Sequence, residues 1–213
     1  VGTTTNSFVS TANSAAFLGS KIKFFDIDLN SLNISIDSLE EYLSNGNNLD
    51  LVIAVHFAGF PVHLERLANL ASKYGFKILE DSAHALGSQL SENQKIGCCQ
   101  YSDISVFSLH PVKSIAAGEG GVITTNSEEI YMSLLRLRSH GINKDKDELI
   151  NKEYAFTGVN RNLWYYEMLE LGYHYRITDI QCALALSQLK KLDKFIARRN
   201  KLAKYYREKI KDI

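Results

Sequence analysis

Three short segments of this chain combine residue types and spacings that together could do chemistry. The first is Glu80-Asp81-Ser82-Ala83-His84-Ala85-Leu86-Gly87. It follows residues 76–79, which read as a strand, so its acids stand at a strand end. A carboxylate there is costly unless a cation or a hydrogen-bond donor faces it. A protonated pyridine nitrogen is such a partner, and a ring kept charged by an acid is the better electron sink for a carbanion. His84, three residues on, can reach the same ligand. The second segment is Ser105-Val106-Phe107-Ser108-Leu109-His110-Pro111-Val112-Lys113. Here a lysine follows a strand after a proline-stiffened turn. In a semi-apolar pocket beside another cation, a lysine gives up its proton more easily and supplies the amine that a Schiff base requires. The Ser108 hydroxyl, five residues earlier, suits a phosphate. The third segment, Gly118-Glu119-Gly120-Gly121, allows close backbone approach to a ligand or another chain.

Taken singly, each part has an ordinary explanation. Lys113 alone would be a surface lysine, Asp81 a turn or helix-capping residue, and 118–121 a hairpin turn. His56 and His63 read as structural or exposed. The combination is more specific. An acid-x-x-His is followed by Ser-x-x-x-x-Lys, whose lysine lies 32 residues after the acid, and then by Gly-Glu-Gly-Gly.

The elements that must hold these segments alternate. Residues 8–18 read as a helix ended by Gly19, 22–27 as a strand, and 38–43 as a short helix. The continuous apolar run 51–56 suits a strand buried on both faces of a parallel sheet. Residues 64–74 have apolar positions at helical spacing, with Gly75 as the C-cap. Strands follow at 76–79, 104–109 and 122–125, then a helix from 127 through 137. This alternation predicts an α/β fold with a mostly parallel sheet flanked by helices. The strand C-termini would share one edge, where ligands of such folds bind. Residues 144–162 read as a long polar surface loop, and 184–206 as one long amphipathic helix.

Composition excludes other classes. The formal net charge is +0, which argues against a nucleic-acid surface. The basic stretch at 190–211 is interleaved with acids and reads as a solvated helix face. No apolar run approaches the ~18 residues of a membrane span, and the residues after Val1 lack a signal-peptide pattern. Three cysteines, two of them adjacent, fit neither a disulfide framework nor a zinc site, so no metal is expected and a reducing, cytoplasmic setting is.

At these segments the chain resembles the DegT/DnrJ/EryC1/StrS family of nucleotide-sugar aminotransferases. The likeness runs from Thr5-Asn6-Ser7-Phe8-Val9-Ser10-Thr11-Ala12-Asn13 through Phe25-Asp26-Ile27-Asp28, His56-Phe57-Ala58-Gly59 and residues 80–87 to Gly172-Tyr173-His174-Tyr175-Arg176-Ile177-Thr178-Asp179. The resemblance implies the large domain of the type I fold of aminotransferases that use pyridoxal 5'-phosphate (PLP). Lys113 would carry the cofactor as a Schiff base and move protons. Asp81 would pair with the pyridine nitrogen, His84 approach the phenolic oxygen side, Ser108 bind the phosphate, and Phe8 stack on the ring. His174, where the family usually has Asn, would reach the phosphate of the neighbouring subunit's cofactor, which implies a homodimer.

Within the family, residues 107–121, Arg138-Ser139-His140-Gly141-Ile142, Trp164-Tyr165-Tyr166-Glu167-Met168 and residues 178–184 look like the subgroup of pseudaminic acid synthesis. That implies transfer of an amino group from L-glutamate to C4 of a UDP-linked 4-keto-6-deoxy-N-acetylhexosamine. The alternatives are a perosamine or 4-amino-arabinose type of aminotransferase, a family dehydratase, or a cofactor-free truncated remnant. Dehydratases of the family have His in place of the lysine, whereas this chain has Lys113. Both ends read as cut: the N-terminal phosphate-wrapping segment and the C-terminal small domain of the family are expected to lie outside the chain. The expected division is 1–183 as the cofactor-binding large domain and 184–213 as a helix leading to the small domain.

Overall fold

A run apolar at every position, such as Leu51–Val55, can be buried only by a strand covered on both faces. A computed structural model, which describes residues 1–145 and 149–210, places it inside a six-stranded sheet. The strands are β1 (Gly2–Thr4), β2 (Lys23–Phe25), β3 (Leu51–Val55), β4 (Lys77–Asp81), β5 (Ile104–Ser108) and β6 (Gly121–Thr124), in spatial order β2-β1-β3-β4-β5-β6. The first five are parallel, and β6 closes the edge antiparallel to β5. The order reverses at β1, so β1 and β3 flank a topological switch point, where ligands of doubly wound sheets bind.

The helices follow in chain order: α1 (Val9–Ala16), α2 (Ile36–Ser44), α3 (Leu64–Tyr74), α4 (Glu128–Leu137), α5 (Lys152–Ala155), α6 (Asp179–Leu189) and α7 (Leu192–Ile210). Ser35 caps α2 by accepting from the Ser38 amide at 3.2 Å. Gly75, at φ +80°, ends α3 in the left-handed conformation that its lack of Cβ allows. Right-handed crossovers put α1 on one face of the sheet and α2 and α3 on the other. The buried cluster agrees. It joins Ile36, Leu39 and Leu43 of α2 to Leu64, Leu67 and Leu70 of α3 and to Val52, Ala54, Ile78 and Phe107 of the strands, with no residue of α1.

Several elements differ from the sequence expectation. β1 has no counterpart in it, because a three-residue Thr-rich strand leaves no periodicity to read. The helix expected at 184–206 is two helices that part at Lys190 and Lys191. Leu192 is buried, and Ile196 lies so close to Gly87 that a Cβ there would sit 2.3 Å from its Cδ1. Packing on Gly87 thus sets where α7 starts. The loop expected at 144–162 contains α5 and a small hairpin, Phe156–Thr157 with Asn160–Arg161. Residues 146–148 of that loop, and 211–213 at the end of the segment expected at 184–213 and of the basic stretch, lie outside the described residues.

The chain forms two units, Val1–Asn126 with Asp179–Ile213, and Ser127–Thr178. The first holds the sheet, α6 and α7. In the second, Ile142–Asn143 pairs antiparallel with Glu167–Met168, and Gly141 and Gly172 cross so tightly that a Cβ on Gly172 would lie 2.2 Å from the Gly141 nitrogen. Among the described residues no helix is long and apolar enough to cross a membrane.

Leu67 is fully buried between α3 and the sheet. Leu67→Ala should therefore lower the unfolding free energy by about 2–5 kcal/mol. Leu18→Ala, at a position 77 % exposed, should change it by less than about 0.5 kcal/mol. Urea titrations of both variants check this, and equal losses would show that α3 is not anchored as described.

Candidate active site

Glu80 and Asp81 are consecutive on β4, so strand alternation sends their side chains to opposite faces. Both lie in the middle of the sheet, Glu80 beside Ala54 and Ser105, Asp81 beside Val55 and Val106. Glu80 turns to the face of α2 and α3 and is buried there. Asp81 turns to the face of α1 and is half-buried.

Burying Glu80 requires partners, and two donors supply them. His56, fully buried just past β3, lies with Nε2 at 2.8 Å from Glu80 Oε2. The His56 Nδ1 accepts from the Val62 amide at 3.0 Å, which puts the ring proton on Nε2 and makes His56 the donor. The Ser102 hydroxyl donates to the other carboxylate oxygen. This pair holds the turn after β3 in place. Phe57 there meets the His84 ring edge-on at 6.3 Å, and Gly59, at φ +83°, lies under the His84 carbonyl, where a Cβ would come within 2.9 Å of the oxygen.

Asp81 is held on each oxygen. The Thr11 hydroxyl of α1 donates to Oδ2 at 2.7 Å, and the Ala83 amide to Oδ1 at 3.2 Å. A carboxylate accepts roughly four hydrogen bonds, so acceptor directions are left over for a ligand. His84 stands on the turn that follows. Its imidazole is held below its ordinary value, first by burial and second by the Lys113 cation, with the Asp81 carboxylate opposing. His84 thus senses both charged groups.

Lys113 lies on the segment between β5 and β6. That segment folds back on itself: the Leu109 amide donates to the Gly120 carbonyl and the Ala117 amide to the Leu109 carbonyl, both at 2.9 Å. Gly118 and Gly120 take φ values of +82° and +146°, which a Cβ would strain. Arg199 of α7 donates to the Ser114 carbonyl at 3.2 Å and pins the lysine turn from outside. Lys113 is half-buried and makes no ion pair among the described residues. The Ser108 hydroxyl oxygen accepts from the His110 amide at 3.3 Å, which leaves its own hydrogen to donate. Phe8 starts α1 with its ring 71 % exposed.

The structure thus sets Asp81, His84, Ser108, Lys113 and the start of α1 at the C-terminal edge of the parallel strands. The donor set suits a phosphorylated pyridine: an anchored carboxylate with open acceptor positions, a primary amine in no ion pair among the described residues, and a hydroxyl with a hydrogen to give. His174 belongs to the second unit. It bridges to Ser139, meets the His140 ring edge-on at 5.4 Å, and accepts from Arg176 at 2.7 Å through Nε2. Among the described residues no three His, Cys, Asp or Glu side chains cluster as metal ligands would.

Sequence reasoning missed Thr11, Arg199 and the partnership of His56 with Glu80. For His56 a signal existed, since it continues an apolar run without a break. For Thr11 and Arg199 there was none, because each acts on a backbone or side chain at least 70 positions away.

The model of the DegT/DnrJ/EryC1/StrS aminotransferase family matches residues 1–213. The chain is 38% identical over 205 residues to the UDP-4-amino-4,6-dideoxy-N-acetyl-beta-L-altrosamine transaminase of Campylobacter jejuni subsp. jejuni serotype O:2, covering 96% of this chain and 49% of that protein. It is 32% identical over 203 residues to the UDP-4-amino-4-deoxy-L-arabinose--oxoglutarate aminotransferase of Shewanella sediminis, covering 94% and 48%. Among solved structures, Helicobacter pylori PseC, an aminotransferase involved in the biosynthesis of pseudoaminic acid, superimposes with a TM-score of 0.84 at 32% identity, over 100% of this chain and 51% of that one. The chain spans about half the length of the relatives it matches. By sequence and by fold, it belongs to the DegT/DnrJ/EryC1/StrS aminotransferase family.

Proposed function

We propose that this chain carries the cofactor lysine of a PLP-dependent nucleotide-sugar aminotransferase. The observation that supports this most directly is geometric: an anchored Asp81 ends β4, and Lys113 follows β5, the strand paired beside it. PLP, when bound, supplies an electron-poor ring that takes up the electron pair released at a substrate carbon. Lys113 Nζ would hold the cofactor covalently and then carry a proton between the substrate carbon and the cofactor. Asp81 faces the ring nitrogen and keeps it charged. His84, whose imidazole burial holds below its ordinary value, lies on the phenolic oxygen side. Ser108 donates to the phosphate, and Phe8 covers the ring face. With Nε2 occupied by Arg176, His174 offers Nδ1–H to the phosphate of a neighbouring subunit's cofactor, so the active form is a homodimer.

The substrate reading is transfer from L-glutamate to C4 of a UDP-linked 4-keto-6-deoxy-N-acetylhexosamine, on the route to pseudaminic acid. The greater identity to the altrosamine transaminase supports it over the 4-amino-arabinose reaction, whose enzyme is less similar. The thiols of Cys98, Cys99 and Cys182 are unpaired, which suits a cytoplasmic enzyme.

Purified protein incubated with PLP should gain a visible absorption band that borohydride removes, and Lys113→Ala should never acquire it. A band that persists in the variant excludes Lys113, and no band in the wild type favours a cofactor-free remnant. Asp81→Asn should still take up PLP but slow turnover by roughly 10²–10³-fold, the size seen when one preorganised electrostatic partner is lost. Unchanged turnover removes Asp81 from its role.

His84 predicts a pH effect. Its folded-state value lies below the 6.5 of the unfolded chain. Above the unfolded value of 6.5 both states are neutral, and stability is unaffected. As pH falls through it, the unfolded state binds the proton first, so the native state loses stability. Urea titrations without added cofactor should show the wild type losing more stability than His84→Asn between about pH 7.5 and about pH 5. Parallel curves contradict the assignment.

A further inference from the structure

Resting on the reading that Asp81 faces the ring nitrogen, we propose that Thr11 is a positioning residue for Asp81, the middle of a directed chain Ser7→Thr11→Asp81. Thr11 is 5 % exposed, on the first turn of α1, with Oγ1 at 2.7 Å from Asp81 Oδ2 and 2.5 Å from Ser7 Oγ. An ionised carboxylate only accepts, so the single hydroxyl hydrogen of Thr11 goes to Asp81. Ser7 is then the donor to Thr11, and both directions are settled. The polarised Thr11 hydroxyl is a stronger donor than one acting alone.

The geometry does more than tie α1 to β4. Thr11 takes one lone pair of Oδ2, and the Ala83 amide takes one of Oδ1. With one donor on each oxygen the carboxylate plane cannot turn, and the unused lone pairs keep a fixed direction. A ring N–H needs that fixed acceptor, because a hydrogen bond weakens steeply once misaligned. Thr11 touches no reacting atom; its effect passes entirely through Asp81.

The test uses Thr11→Val, which keeps shape and removes the donor, and Thr11→Ser, which keeps the donor. PLP affinity by equilibrium dialysis should fall several-fold in Thr11→Val. The single-turnover rate with L-glutamate should fall about tenfold, as expected for losing a hydrogen bond to a charged group. Thr11→Ser should restore both to within about twofold. In an Asp81→Asn background, Thr11→Val should cost nothing further, because the residue it serves is already gone. Thr11→Val behaving as wild type overturns the proposal. So does a Thr11→Ser as impaired as Thr11→Val, or an unchanged loss in the Asp81→Asn background, since each marks a merely structural contact. If Asp81→Asn itself binds PLP and turns over as wild type, the reading of Asp81 fails and the proposal falls with it.

Discussion

Everything at the sheet edge depends on one constraint: Glu80 and Asp81 are neighbours on a central strand and must face opposite ways. The inward acid would be a liability if unpaired, since breaking a buried ion pair or stranding its charge costs about 3–5 kcal/mol. His56 and Ser102 meet it with two donors. Because His56 accepts from the Val62 amide on its other nitrogen, the same contact fixes the turn after β3. The outward acid is thereby placed by a strand whose register is locked from behind. A one-residue slip of β4 would exchange the two carboxylates and leave a charge in the core. The orientation of Asp81 is thus secured by an acid on the opposite face of the sheet.

The turns that surround Asp81 are shaped by close approach as much as by hydrogen bonds. Gly59 passes beneath the His84 carbonyl, and Gly87 receives Ile196 of α7. Arg199, one turn along the same helix, holds Ser114 next to the lysine. α7 therefore braces both the acid turn and the lysine turn, although it begins some 80 residues after the latter. A helix that reads as a solvated, charged rod has its first turns committed to the site, while the rest is exposed.

Much of this was legible in the residues. The apolar run of β3, the helical spacing and Gly75 cap of α3, and the acid and lysine segments after β4 and β5 all carry local signals, because strand burial, helix periodicity and turn chemistry act over a few residues. Asp81, His84, Ser108 and Lys113 could be singled out for that reason.

What the tertiary structure alone decided are the partners. β1 is too short to announce itself, and it becomes a strand because β2 and β3 offer it hydrogen bonds on both sides. The break between α6 and α7 follows from packing on Gly87 and not from any helix breaker. Thr11 meets Asp81, and His56 meets Glu80, only because parallel strands and their crossovers bring distant chain segments to one edge. The sequence by itself determined which groups could do chemistry, since reactivity belongs to residue types and near neighbours. Their orientation and charge belong to contacts between residues far apart in the chain, and those exist only once the sheet is formed.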